Sequence, residues 1–162
     1  MLNSQIPVAT LSDDSASTEA HLSFVTPGDL NRACELGLFY LKTPGNLNLE
    51  FARQFGSGLI DTDSAYRQVP EYGELEGFIA LDNNQQTKLA LRRERWDQHY
   101  PEHIAVFGRQ LDTVGIAIIR AVFRQSGIPE ALWDRASGGY ASGGGDAFLN
   151  FVHYDTRSPD WG

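Results

Sequence analysis

The sequence predicts an α+β fold, because segments with strand character and segments with helical periodicity alternate along its 162 residues. The most regular segment runs from Pro101 to Gln125, where apolar residues recur every three or four positions and predict a long amphipathic helix. Short apolar runs at 6–11, 38–41 and 148–155 predict strands. With 41% apolar residues, the chain can bury the core of one domain.

The first predicted element is a short strand. It covers Ile6 to Leu11, and Pro7 places it at a sheet edge or at a strand start, because proline cannot donate a hydrogen bond to a ladder. Residues 12–19 are rich in Ser, Asp and Thr, so they are predicted to form a loop.

A helix is predicted to follow, with Thr26 as its cap and Pro27 at its first position. Gly37 is expected to end this helix in a left-handed conformation. Its buried face is predicted to consist of Leu30, Ala33 and Cys34.

The middle of the chain is predicted to hold one strand, one helix and long loops. The strand covers 38–41 and ends in a turn at 43–46. A second amphipathic helix is predicted from Asn46, and residues 56–100 show weak periodicity, which favours excursion loops. The second helix is expected to bury Leu47, Phe51 and Phe55.

The long helix is expected to stop at Gly127 and Pro129. A short helical turn at 129–133 and a glycine-rich loop at 137–146 would then lead to the last strand. The stripe that the long helix buries is predicted to be Ile104, Phe107, Leu111, Val114, Ile118 and Val122.

Charge and cysteine content exclude several classes of protein. The net charge is −8 and the 13 basic residues are scattered, which argues against a nucleic-acid surface. A small metabolite remains a possible partner. Cys34 is the single cysteine, so an intrachain disulfide is excluded and a cytoplasmic setting is expected. No segment has the length and hydropathy of a membrane span.

Three motifs occur in a fixed order along the chain: Ile6-Pro7-Val8, Gly37-Leu38-Phe39-Tyr40-Leu41, and the run from Leu149 to Asp155. This order, with the long helix before the third motif, resembles the N-terminal half of the isopenicillin N synthase-like, 2-oxoglutarate- and iron(II)-dependent oxygenases. The motifs correspond to the family's Ile-Pro-Val strand, its Gly-Phe-Phe-type strand and its Leu-Arg-x-x-x-Tyr-Pro strand. Asp155 stands where the family usually has proline.

The resemblance implies a double-stranded β-helix, or jelly roll, of which this chain would carry the first part. Residues 1–147 would form the N-terminal helical and strand region, and 148–162 would begin the jelly-roll core. The family's iron ligands are a His-x-Asp pair and a distant histidine, two imidazoles and a carboxylate on one face of the metal. We expect them beyond residue 162, so that the fragment binds no iron and is inactive.

Tyr154 is the candidate cofactor-binding residue, because the tyrosine of the matched family strand often contacts the far carboxylate of 2-oxoglutarate. The alternative is a core tyrosine whose hydroxyl bonds a neighbour. His153-Tyr154-Asp155 also spells His-x-Asp, so His153 and Asp155 are an alternative pair of iron ligands. Two observations oppose that reading: a turn follows at 156–159, and no second histidine comes after Asp155.

Three other segments carry chemistry-bearing residues. His99, Glu102 and His103 could hold a metal on one helix face, although a solvated helix start is the expected reading. The glycine-rich loop lacks the lysine of a phosphate-binding loop, so a flexible connection is expected. Arg92-Arg93-Glu94-Arg95 could meet a substrate carboxylate or form a solvated face.

The leading hypothesis is an oxygenase that couples oxidation of a small metabolite to decarboxylation of 2-oxoglutarate, with Fe(II) as its metal. Hydroxylation, desaturation and cyclisation are all open. A related hypothesis uses iron and oxygen without the oxoacid, as in bicyclic β-lactam formation. The alternative from another class is a non-catalytic module, derived from the same fold, that binds a small molecule or a protein. The oligomeric state is open.

Overall fold

The computed structural model describes residues 6–13, 20–42, 47, 49–58, 65–69, 76–81, 86–145 and 147–154. The fold is α+β, as the sequence predicts. The chain divides into two compact units. The first unit consists of Met1–Leu47 and Gln110–Gly145, and the second unit consists of Asn48–Arg109 and Asp146–Gly162.

The first unit contains a three-stranded sheet whose central strand is β1 (Val8–Asp13). Strand β2 (Ala20–Phe24) pairs with β1 antiparallel, and β3 (Tyr40–Leu41) pairs with β1 parallel. Pro7 lies directly before β1, where its carbonyl accepts the Tyr40 N–H at 2.8 Å. The strand-start reading of Pro7 is therefore confirmed.

Strand β2 is absent from the sequence prediction, which had a loop at 12–19. Strand β1 continues to Asp13, and residues 14–19 lie outside the described part of the chain. Ala20, Leu22 and Phe24 alternate with polar residues, which is the period of a half-buried strand. That alternation was the signal that could have identified β2.

Helix α1 (Asp29–Leu36) begins two residues later than predicted. Residues 26–28 instead form a turn, in which the Asp29 N–H bonds the Thr26 carbonyl at 3.1 Å. Gly28 caps the helix with φ +90°, a conformation that a helix interior cannot include. Thr26 is therefore not the cap, and the predicted burial of Cys34 is also wrong, because that side chain is exposed.

The predicted end of α1 is confirmed. Gly37 has φ +71°, and its N–H bonds the Ala33 carbonyl at 2.8 Å. This left-handed cap turns the chain into β3, which is shorter than the predicted 38–41.

The second unit holds a second three-stranded sheet. Its strands are β4 (Gly77–Leu81), β5 (Gln86–Arg92) and β6 (Phe148–Tyr154), all antiparallel in the order β4-β5-β6. The predicted loops across 56–100 are therefore wrong for β4 and β5. Leu89, Ala90 and Leu91 of β5 are consecutive and fully buried, so this central strand lacks the polar alternation that marks a strand in sequence.

Helix α2 (Leu49–Gly58), a 3₁₀ turn (Ala65–Gln68) and the short helix α3 (Trp96–His99) complete the first segment of the second unit. Phe55 of α2 is half-buried, but Phe51 is 48% exposed, contrary to the prediction that α2 buries it. Residues 43–46, the predicted turn, lie outside the described part.

Helix α4 (Glu102–Gln125) confirms the long helix that periodicity predicts. Ile104 and Phe107 of the predicted stripe are buried, whereas its other four members are half-buried. Gly127, with φ +70°, ends the turn after α4, and α5 (Glu130–Ala136) extends the predicted helical turn by three residues. Within the described residues, no helix is both long and apolar enough to cross a membrane.

Candidate functional site

Strand β6 carries the candidate cofactor contact. It pairs with β5 along its whole length, with His153 opposite Thr87 and Tyr154 opposite Gln86. Leu149 and Phe151 are buried, whereas Asn150 and Val152, which alternate with them, are exposed. β6 therefore has one packed face and one open face.

Tyr154 is the last residue of β6, so its backbone position is fixed by the ladder. Its side chain lies outside the described part of the chain, as does Asp155. The half-buried His153 belongs to the same face of β6 as the buried Leu149 and Phe151. The roles predicted for Tyr154, His153 and Asp155 stay predictions.

An aromatic cluster packs against the buried face of β6. Phe55 lies edge-on to Phe151, with ring centroids 4.7 Å apart, and also contacts Tyr66 and Tyr100 at 4.8 and 5.6 Å. The Tyr100 hydroxyl donates to the Leu149 carbonyl at 3.1 Å. Burial raises the pKa of both Tyr66 and Tyr100, so these tyrosines are neutral donors. The cluster holds β6, the strand whose last residue is Tyr154.

Iron in the oxygenase family that the three motifs resemble needs three nitrogen or oxygen ligands on one side of the metal. Among the described residues, no three His, Cys, Asp or Glu side chains come close enough together to hold a metal ion. The described part of the chain thus does not fit an iron site.

The His99, Glu102 and His103 set does not share one helix, contrary to the geometry its spacing predicts. His99 ends α3, whereas Glu102 and His103 begin α4. Tyr100 between them is extended, with ψ 148°, because it precedes a proline. His103 instead packs against Phe51, with ring centroids 5.3 Å apart.

The arginine cluster after β5 surrounds a carboxylate that sequence reasoning missed. Glu76 is 3% exposed, and it accepts hydrogen bonds from Arg92 Nε at 3.1 Å and Arg95 Nη1 at 2.5 Å. Its Oε1 also accepts the backbone N–H of Arg92 at 3.1 Å, just past the point where β4 pairing stops. The Glu76 carboxylate thus takes the place of a strand partner for the Arg92 N–H and forms ion pairs with two guanidinium groups.

The ion pairs of Glu76 decide between the two predicted roles of the arginine segment, a contact for a substrate carboxylate and a solvated face. The solvated-face reading is wrong for Arg92 and Arg95, because both pair with buried Glu76. Arg92 also lies over the Phe148 ring, 5.2 Å from its centroid. These contacts hold the ends of β4, β5 and β6 together, so Arg92 and Arg95 stabilise the sheet.

The glycine-rich loop in the first unit is organised by Asp134. Its carboxylate accepts the Ala141 N–H and the Ser142 hydroxyl, both at 2.6 Å, and the Ser142 bond lowers the pKa of Asp134. The Gly139 and Gly144 N–H groups bond the carbonyls of Asp134 and Gly139 at 2.7 Å. These amides are used within the loop, so they do not form a phosphate cradle.

The sequence matches no protein-family model, and no curated protein matches it. The resemblance stated above therefore stands on the motifs and on the order of the elements.

Proposed function

We propose that the chain forms the N-terminal part of a non-haem oxygenase that uses Fe(II) and 2-oxoglutarate to oxidise a small metabolite. One observation carries the proposal: each of the three family motifs contributes a β-strand, in the order that the resemblance requires. The jelly-roll assignment and the cytoplasmic setting belong to the same proposal.

The pairing of the first two motifs with each other supports the proposed oxygenase fold. Ile6-Pro7-Val8 leads into β1, and Gly37-Leu38-Phe39-Tyr40-Leu41 leads into β3. These strands are parallel and in register, Val8 opposite Tyr40, with α1 in the connection between them. Parallel neighbours need such a crossover, which here includes a helix, so the two motifs form one supersecondary unit.

The third motif and the helix before it give independent support. Helix α4 has 24 residues, and β6 takes up most of the third motif as a regular strand paired with β5. A strand fixed by a ladder on one edge and by aromatic packing on one face is a suitable wall for a cofactor pocket.

In this proposal Tyr154 contacts the far carboxylate of 2-oxoglutarate. The resemblance assigns the iron ligands to strands that come after the one matched by β6, and the described residues contain no group of three candidate metal ligands. When bound, the iron and the oxoacid would supply the oxidative chemistry, and this chain would supply packing and part of the pocket wall.

The proposal is tested with the full-length protein by measuring succinate formed from 2-oxoglutarate in the presence of Fe(II). We expect iron-dependent succinate, and we expect Tyr154→Phe to raise the KM for 2-oxoglutarate about tenfold, as loss of a hydrogen bond to a charged group predicts. Tyr140→Phe, in the glycine-rich loop, is the control and should leave that KM unchanged. Absence of succinate contradicts the proposal.

A non-catalytic binding module is the second candidate, and an apolar cavity in the first unit favours it. The same assay separates the two candidates. A binding module forms no succinate at any iron concentration, whereas the oxygenase does.

A further inference from the structure

Two adjoining cavities lie in the first unit, between the end of α4, the following turn and α5. One has a volume of about 470 Å³ and an apolar lining, which includes Phe123, Leu132 and Trp133. The other, of about 330 Å³, is lined by Arg120, Arg124 and Glu130, among others. Ile128 and Trp133 line both cavities, so the two cavities are neighbours, and together we call them the depression, with an apolar part and a charged part.

The apolar part has the features of a small-molecule site. Its volume is within the range of about 300–1,000 Å³ that is usual for ligand pockets. Trp133 is 5% exposed and stacks on Phe123, with ring planes only 7° apart and centroids 5.5 Å apart, which makes a flat and rigid wall. Leu132 and Ile128 are 61% and 38% exposed, so apolar surface remains open to solvent at this depression.

The charged part has a net positive charge. Arg120 donates to Glu130 through Nε and Nη2, at 2.9 and 2.7 Å, which balances one positive charge with one negative charge. Arg124 lies one turn further along α4 and takes part in no ion pair within the described part of the chain. One cationic group thus remains beside the apolar wall, on a chain whose overall charge is −8.

We propose that this depression binds a small organic anion with a flat apolar body and one carboxylate, the body against Trp133 and the carboxylate near Arg124. Apolar burial supplies most of the affinity, and Arg124 selects for the negative charge. The site lies within the first unit and does not depend on the proposed oxygenase function.

The test uses 2-naphthoate and its neutral analogue 2-naphthamide as probes, with binding measured by isothermal titration calorimetry. We expect 2-naphthoate to bind about threefold more tightly than the amide, as an exposed ion pair predicts. Arg124→Gln should remove this preference and leave amide binding unchanged. The matched control is Arg135→Gln, an exposed arginine of α5 that lines neither cavity, and it should keep the preference.

A second variant tests the location. Ala136 lines the apolar part and is exposed, so Ala136→Trp should fill that part without disturbing the core and weaken both probes by about tenfold or more. Circular dichroism melting checks that each variant folds. The proposal is overturned if neither probe binds, if Arg124→Gln keeps the preference, or if Ala136→Trp binds as the parent does. A concentration-dependent dimer that Ala136→Trp dissociates would also overturn it, because a second copy would then occupy the depression.

Discussion

The second unit buries large side chains, whereas the first unit buries mostly small ones. Leu89, Leu91 and Ile104 of the second unit are all fully buried. In the first unit, the buried apolar residues among those described are Ala9, Ala33, Ala117 and Trp133. The first unit also exposes more large apolar side chains, namely Val25, Leu36, Leu38, Tyr40, Ile128 and Leu132.

This difference indicates that the two units are stabilised in different ways. Burial of a large apolar side chain contributes about 1.5–3 kcal/mol, and alanine contributes much less because it has one methyl group. The second unit thus has the stronger apolar core, closed at one end by the Glu76 ion cluster. The described core of the first unit consists mainly of small side chains, beside the hydrogen bonds of β1 and of the Asp134 loop.

The largest expected effect is loss of a core side chain in the second unit. Leu91→Ala should lower the free energy of unfolding by about 2–5 kcal/mol, because it leaves a cavity beside Trp96, whose Nε1–H bonds the Leu91 carbonyl at 2.8 Å. Leu36→Ala in the first unit is the control, since Leu36 is 44% exposed. It should change stability by less than about 0.5 kcal/mol in urea unfolding. Equal effects of the two variants would contradict the comparison.

Glu76→Gln should be the next largest change. It leaves the guanidinium groups of Arg92 and Arg95 without their carboxylate, and we expect a loss of about 2 kcal/mol, reduced from the buried-pair value because both arginines are partly exposed. Glu94→Gln removes a neighbouring carboxylate that is 69% exposed and 3.6 Å from Arg95. Its effect should stay within about 0.5 kcal/mol. A Glu76→Gln protein as stable as Glu94→Gln would show that the ion cluster does not hold the strand ends.

The glycine-rich loop offers a test of the first unit. Gly143 and Gly145 both have positive φ, +87° and +74°, so an alanine at either is strained by about 1–2 kcal/mol. A Cβ at Gly145 would also lie 2.6 Å from the Ser137 carbonyl oxygen, whereas a Cβ at Gly143 meets nothing within 4 Å. Thermal melts should therefore rank Gly145→Ala as less stable by about 1 kcal/mol or more. If Gly143→Ala were the less stable variant, the close packing of Gly145 against Ser137 would be contradicted.

The smallest expected effect concerns a surface ion pair of the second unit. Hydrogen bonds from Arg53 and Gln54 lower the pKa of Glu50 from 4.5 to about 2. The folded pKa lies below the unfolded value, so this contribution to stability is present above about pH 4.5 and is lost as pH falls towards 2. NMR titration should find the low pKa, and Arg53→Gln should raise it. A Glu50 with an ordinary pKa would show that its hydrogen bonds to Arg53 and Gln54 do not stabilise the fold.

The sequence predicted correctly those elements whose position depends on neighbouring residues alone, such as α4 and the end of α1. The stripe of α4 has six members at spacings of three or four residues, and the end of α1 depends only on the positive φ of Gly37. Strands β4 and β5 were not predicted from the sequence. β5 is buried between β4 and β6, and its partner β6 follows only after more than 50 residues, so local patterns do not reveal the pairing. The role of Glu76 depends on that same pairing, which brings its carboxylate to Arg92.

The candidate site was likewise predicted only where neighbouring residues carry the signal. The sequence identified β6 as the strand that carries Tyr154, since 148–155 is a short apolar run. The separation of His99 from His103 follows from Pro101, a visible signal whose helix-starting effect was not used. The stacked pair of Phe123 and Trp133 joins two helices, and spacing along one helix does not reveal such a contact.

The proposal that β6 is a wall of an oxygenase pocket and does not bind the metal is tested most directly by the iron content of a protein that contains this chain and the proposed metal-binding strands. Anaerobic Fe(II) titration should find one equivalent bound by the parent protein. The double variant His153→Gln, Asp155→Asn should bind the same amount with the same affinity, provided that its melt is unchanged. Loss of iron from that folded double variant would show that the strand itself carries the ligands, and it would contradict the account.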